Sequence, residues 1–234
     1  MGQLSTITQE VLLSDSAREL DFTGPWKVFT TSSGPRDGAD DVRLIAGRSA
    51  PVRCSRSMRA LPDRTLDDPP PLDVVLVPGG SGTRLRVDHG WSPEQADLLV
   101  VPGGGYARRE DPGVWAEIRR GSLPRALAAA SRPGLTVNAL CTGVMLLSAA
   151  GLTSGRPCTT HHRARADLER QGGVLKNARV VDDGDLVTAG GVTSGLDLAL
   201  WLVRRELGAD AAVGLEKMLE YETRGTVWTA RSSR

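Results

Sequence analysis

Cys141 is the residue whose surroundings best suit covalent chemistry. It lies between a short apolar run, Leu135 to Leu140, that reads as a buried strand, and apolar residues that continue at helical spacing through Ala150 to a stop at Gly151. A thiol at such a turn faces the unpaired N–H groups and the positive dipole end of the following helix. Both favour thiolate and stabilise negative charge building up on a bound substrate. Gly143 helps supply the small bulk that a sharp turn needs. The arrangement is a nucleophile elbow with cysteine in the serine position; position alone equally allows a buried packing cysteine.

A carboxyl and a glycine turn are the groups that would complete such a site, and the chain offers both. Asp21 precedes Pro25, which suits the first turn of a helix carrying Trp26 and Phe29 three apart on one face. From that segment alone Asp21 also reads as an N-cap or turn residue, and Trp26 as core. The glycine turns come from an internal repeat: Asp73 to Arg84, DVVLVPGGSGTR, and Asp97 to Arg108, DLLVVPGGGYAR, agree at six of twelve positions. Each is a buried strand entering a Pro-Gly-Gly turn. Their offset of 24 residues is short for a strand, crossover helix and parallel strand, which takes about 30. Only the second copy is followed by helical patterns, Asp111 to Arg120 and Leu123 to Ala130, that return to the Cys141 strand. Val101 to Gly105 is therefore expected to border the site, and Val77 to Gly80 to belong to an extra strand or displaced loop.

The elements that must hold these groups alternate between strand and helix. Ile7 to Leu13 reads as a first strand with a polar beginning, and Val42 to Ala46 as a second, followed by a hairpin-like region at Val52 to Leu61 with Cys54. Beyond the elbow, Pro157 to His162 is a short β-like segment ending in two histidines, Arg163 to Gln171 a short helix, and Val180 to Thr188 a hairpin. A small-residue turn, Ala189 to Gly195, enters an apolar helix at Leu196 to Leu207, and Asp210 to Glu220 is the last helix. His89 reads as a surface loop residue. This order specifies an α/β fold with a mainly parallel sheet, whose ligands bind beyond the strand C-termini. The expected organisation is one domain over residues 1–222 with the duplicated segment at 73–108 and a partly disordered tail at 223–234.

Twenty-nine basic and 28 acidic residues leave a formal charge of +1, which points away from nucleic acid and from anionic membrane surfaces. Cys54, Cys141 and Cys158 lack metal-ligand spacing and favour a reducing compartment. With neither a signal-type start nor an apolar stretch of about 20 residues, a soluble cytoplasmic protein is expected.

Four motifs in order resemble the ThiJ/PfpI superfamily (class I glutamine amidotransferase-like), most of all its isonitrile hydratase branch. They are LDFTGPWKVF at Leu20 to Phe29, DLLVVPGG at Asp97 to Gly104, ALCTG with AAGLTSG at Ala139 to Gly155, and TTHH with VTAGGVTSGLDLAL at Thr159 to Leu200. The resemblance implies a flavodoxin-like three-layer sandwich, with Cys141 as nucleophile and Asp21 as the acidic residue that approaches the thiol. Thr142 matches the residue after the nucleophile. The backbone N–H groups of Gly104 and Thr142 would form the oxyanion-type site beside Gly103, and His161, 20 residues after Cys141, stands at the histidine position of the superfamily. His162 is expected to line the site or face solvent. The implied reaction is hydration of an isonitrile to an N-substituted formamide, with no cofactor, no metal, and a small electrophile as the partner of a homodimer. Competing readings are a glyoxalase-like or amidase activity, or a redox or stress sensor built on a reactive cysteine. The polar first strand, Lys27 and the duplicated segment are departures from the family pattern.

Overall fold

A run such as LLVV, or VNAL with its one polar residue hydrogen-bonded, can be covered on both faces, and both become central strands of a parallel sheet. The structure, a computed structural model, describes residues 9–12, 19–32, 42–45, 74–76, 97–107, 109 and 112–230. In chain order, β1 (Gln9–Leu12) precedes α1 (Glu19–Ser32), β2 (Val42–Ile45), β3 (Val74–Leu76) and β4 (Leu98–Val101). Then α2 (Val114–Arg120) and α3 (Ser122–Ala130) lead to β5 (Thr136–Leu140) and α4 (Val144–Ala149). The chain continues through β6 (Pro157–Cys158), α5 (Arg165–Arg170), β7 (Val174–Leu175) and the hairpin β8 (Val180–Asp182) and β9 (Leu186–Ala189). It ends in α6 (Ser194–Leu207), α7 (Ala209–Leu219) and β10 (Trp228–Thr229).

The main sheet runs β10-β8-β9-β5-β4-β1-β2, parallel at every pairing except the antiparallel β8–β9 hairpin. Helices α1, α6 and α7 pack together, as do α2, α3 and α4, so the sheet has a helical layer on each side. Leu99, Val100, Leu140, Leu146, Val187 and Leu198 are among the buried residues that join the layers. This is the flavodoxin-like α/β sandwich expected from the sequence. The first repeat copy contributes β3 as an extra strand. It aligns with β4 through Val74↔Leu98, Val75↔Leu99 and Leu76↔Val100, overlapping the β4 residues that register with β1. Val77 to Gly80, the expected hairpin with Cys54, and His89 lie outside the described residues.

Three expectations are corrected. Helix α1 begins at Glu19, so Asp21 is inside its first turn and Pro25 sits in the helix body. The buried face is Asp21, Phe22, Gly24, Pro25, Val28 and Phe29; Trp26 falls off that face and is 38% exposed, while Phe29 is buried. The segment after Tyr221 is ordered through Ala230, because Trp228–Thr229 pairs with β8 and the Arg224 N–H donates to Asp197 Oδ1. The folded unit thus extends past residue 222.

Candidate functional site

The elbow is built by a break in backbone handedness. β5 ends at Leu140 in extended conformation, and Cys141 then takes φ 53°, the left-handed region that costs a side-chain-bearing residue about 1–2 kcal/mol. A 3₁₀ turn over Cys141–Gly143 runs directly into α4, and Cys141 is buried. Its strained backbone is pinned from two sides. The Cys141 N–H donates to Gly190 O at 2.8 Å, and Cys141 O accepts from Thr160 Oγ1 at 2.7 Å and from His161 N–H at 3.4 Å. Such strain persists only where the surroundings over-determine it.

The turn after β4, from the second copy of the repeat, meets the elbow. A Cβ on Gly103 would lie 2.4 Å from Thr142 N and 2.8 Å from Gly143 N, and one on Gly143 would lie 2.1 Å from Val101 O. The two backbones touch, and glycine is required on both sides. Gly104 N–H donates to Thr142 Oγ1 at 2.8 Å. One of the two N–H groups expected to face an anion is therefore engaged by the threonine hydroxyl, which as an acceptor keeps its own proton to donate.

Asp21 is fully buried and lies four residues before Pro25, on the same face of α1. Pro25 packs 3.4 Å from the position of a Gly195 Cβ, and that position lies 2.8 Å from Leu140 Cδ1, next to Cys141 in the chain. Pro25 itself has no N–H to donate within the helix. His161 caps the 3₁₀ turn His162–Ala164, its Nδ1 accepting from Arg163 N–H at 3.3 Å. That hydrogen-bond assignment leaves the proton of the neutral ring on Nε2. The ring lies against Gly191, where a Cβ would come within 2.2 Å of Cδ2, and its centroid is 4.2 Å from that of the exposed His162.

Sequence reading missed two features here. Asn138, inside β5, is fully buried and donates through Nδ2 to Leu99 O and Thr136 O, tying β5 to β4 just before the elbow. A cleft of about 560 Å³ opens beside His161, with Arg165 and Arg179 on its wall. The four-residue spacing of His161 and Arg165 was the available signal. Of the two free cysteines among the described residues, Cys158 is fully buried, and burial pushes its thiol up to about 11, away from thiolate. Among the described residues no group of three or more His, Cys, Asp or Glu could hold a metal, and no helix is long and apolar enough to cross a membrane.

A parallel α/β sheet carrying a cysteine on a strained strand–helix elbow, at the edge where the strands end, defines the class of this protein. The chain belongs to the DJ-1/PfpI family, whose model matches residues 10–89 and 81–205. It is 31% identical over 210 residues to isonitrile hydratase of Pseudomonas putida, spanning 90% of this chain and 76% of that protein. It is 30% identical over 214 residues to the Parkinson disease protein 7 homolog of Danio rerio, spanning 89% and 94%. The crystal structure of a ThiJ/PfpI family protein from Pseudomonas syringae superimposes with a TM-score of 0.71 at 22% identity, over 95% of this chain and 78% of that one, a likeness of fold.

Proposed function

We propose that the protein is a cofactor-independent cysteine enzyme that hydrates an isonitrile to an N-substituted formamide. The observation that carries this reading is Cys141 held at φ 53° directly under the Pro102–Gly104 turn, with Asp21 buried on the face of α1 that packs toward Leu140. The 31% identity to isonitrile hydratase over most of the chain supports the choice of substrate.

In this mechanism the Cys141 thiolate attacks the terminal isonitrile carbon and the Asp21 carboxyl gives that carbon its proton, leaving a thioimidate, R–N=CH–S–Cys, and an Asp21 carboxylate. Burial disfavours the charged form of a carboxyl, which suits Asp21 to hold a proton until the carbon accepts it. The carboxylate then takes a proton from water, hydroxide adds to the thioimidate carbon, and the carbon–sulfur bond breaks to return thiolate. The product R–N=CH–OH tautomerises to R–NH–CHO. Thr142 would orient the water through its hydroxyl proton while holding Gly104 N–H, and His161 would donate from Nε2. The balance of atoms calls for no redox partner. In this reading the enzyme acts as a cytoplasmic homodimer, which light scattering tests for the oligomer.

Formamide formation from n-butyl isonitrile is the decisive assay. Cys141→Ala is expected to abolish it, and Asp21→Asn to lower it by 10²-fold or more with cooperative unfolding retained. Unchanged turnover in Cys141→Ala would end the nucleophile assignment.

A further inference from the structure

The cleft beside His161 has a chemistry of its own. Its wall includes His161, Arg165, Asn177, Arg179, Ser194 and Thr226, and among the described residues none that lines it is acidic. The two arginines are in different states. Arg179 is neutralised: its Nε donates to Asp197 Oδ2 at 2.7 Å, and Asp197, itself buried, is held further by Tyr221 Oη and Arg224 N–H. Arg165 is not. Its side chain makes no hydrogen bond or ion pair among the described residues, and its Nε is buried without an acceptor. That Nε is closed to solvent, so the donors Arg165 offers to the cleft are its terminal Nη groups, which bond to no other described residue.

The cleft is also in direct register with the nucleophile. Three residues that line it, Gly190, Thr160 and His161, are the same three that hydrogen-bond to the backbone of Cys141. A molecule seated in the cleft is therefore one residue layer from the elbow.

We infer that this cleft is a subsite for a carboxylate, so that the substrate is a small electrophile carrying a carboxylate on the arm opposite its reacting carbon. Arg165 supplies the planar donor fork that matches a carboxylate, and the hydroxyl and amide groups of Ser194, Thr226 and Asn177 supply neutral donors around it. With Arg179 cancelled by Asp197, the fixed charge that the described residues leave on the wall is a single positive one, which matches a monoanion better than a phosphate dianion. The substrate class rests on the isonitrile reading; the carboxylate subsite does not.

The test uses both binding and turnover. Calorimetric titration of the Cys141→Ala protein with N-formylglycine, the product expected from isocyanoacetate, should show binding at least 10-fold tighter than to its methyl ester. Adding Arg165→Ala or Arg165→Gln should erase that preference, whereas Arg165→Lys should keep most of it. In the unsubstituted enzyme, isocyanoacetate should exceed methyl isocyanoacetate in kcat/KM by a similar factor. Equal binding of acid and ester, undetectable binding of the acid at millimolar concentration, or acid binding unaffected in a folded Arg165→Ala or Arg165→Gln protein would overturn the subsite. Acid-selective, Arg165-dependent binding with no turnover of any isonitrile would leave the subsite standing and end the hydratase reading; turnover of isonitriles with no acid preference would do the reverse.

Discussion

Gly143→Ala places a methyl carbon 2.1 Å from Val101 O, 2.5 Å from Pro102 O and 2.7 Å from Pro102 C. An unstrained carbon–oxygen contact lies at about 3.3–3.6 Å, so the β4 turn and the elbow must part by roughly 1 Å. The obstacle is backbone rather than a flexible side chain, which puts the cost at the upper end of the usual overpacking range, about 3 kcal/mol. For a chain of this length that corresponds to a fall in Tm of roughly 6–12 °C. The functional loss should be larger than the loss of stability implies, because a shift of about 1 Å at a reacting group costs on the order of 10²-fold in rate. The assay is the rate of iodoacetamide labelling at Cys141, followed by peptide mass spectrometry, beside thermal unfolding. Gly214→Ala is the control: Gly214 lies in α7 with nothing within 4 Å of its would-be Cβ, so alanine should stabilise by about 0.5–1 kcal/mol. Wild-type Tm and labelling rate in Gly143→Ala would refute the argument that these two backbones set the position of the thiol.

Thr142→Val removes the acceptor of the Gly104 N–H and should cost about 1–3 kcal/mol in thermal unfolding, with Thr142→Ser close to wild type. Desolvation pushes the Cys158 thiol from 9.0 up to about 11, so above about pH 9 the unfolded chain loses that proton before the folded one does. Its contribution, on the order of 2–3 kcal/mol, is complete below the unfolded value and fades as pH rises toward 11. Cys158→Ala should therefore flatten the fall of Tm with pH over that window. Asp197→Ala leaves Arg179 without its buried partner and should cost about 3–5 kcal/mol. Burial and the Asp197 hydrogen bond raise the Tyr221 phenol, so its titration, followed by ultraviolet absorbance, should move back toward 10.0 in the same variant.

Legibility in the sequence followed locality. The elbow was readable because an apolar strand, a cysteine and a helical run adjoin along the chain, and the second repeat copy was readable as its neighbour because helices α2 and α3 follow it. Pro25 misled because proline marks helix starts far more often than it occupies helix interiors; here its packing against Gly195 holds it in place and carries Asp21 into the helix. Trp26 was misplaced by the same shift, since moving a helix start changes which residues share the buried stripe. Of the Arg165 cleft only the four-residue spacing of His161 and Arg165 was legible. Its wall is assembled from residues 160–165, 177–179, 190–194 and 225–226, which only the sheet topology brings together.

The two-residue strand β10 has a consequence for solubility. It lies outside β8, all three of whose residues are buried, and it pairs Trp228 with Val181 and Thr229 with Asp182, while Lys176 Nζ sits 4.9 Å from the Trp228 ring. Short margins flanked by charge are how sheets avoid recruiting foreign strands. A chain cut before Trp228 would bare the peptide groups of β8, and the first symptom would be self-association that rises with concentration, at a margin far in sequence from the Cys141 elbow.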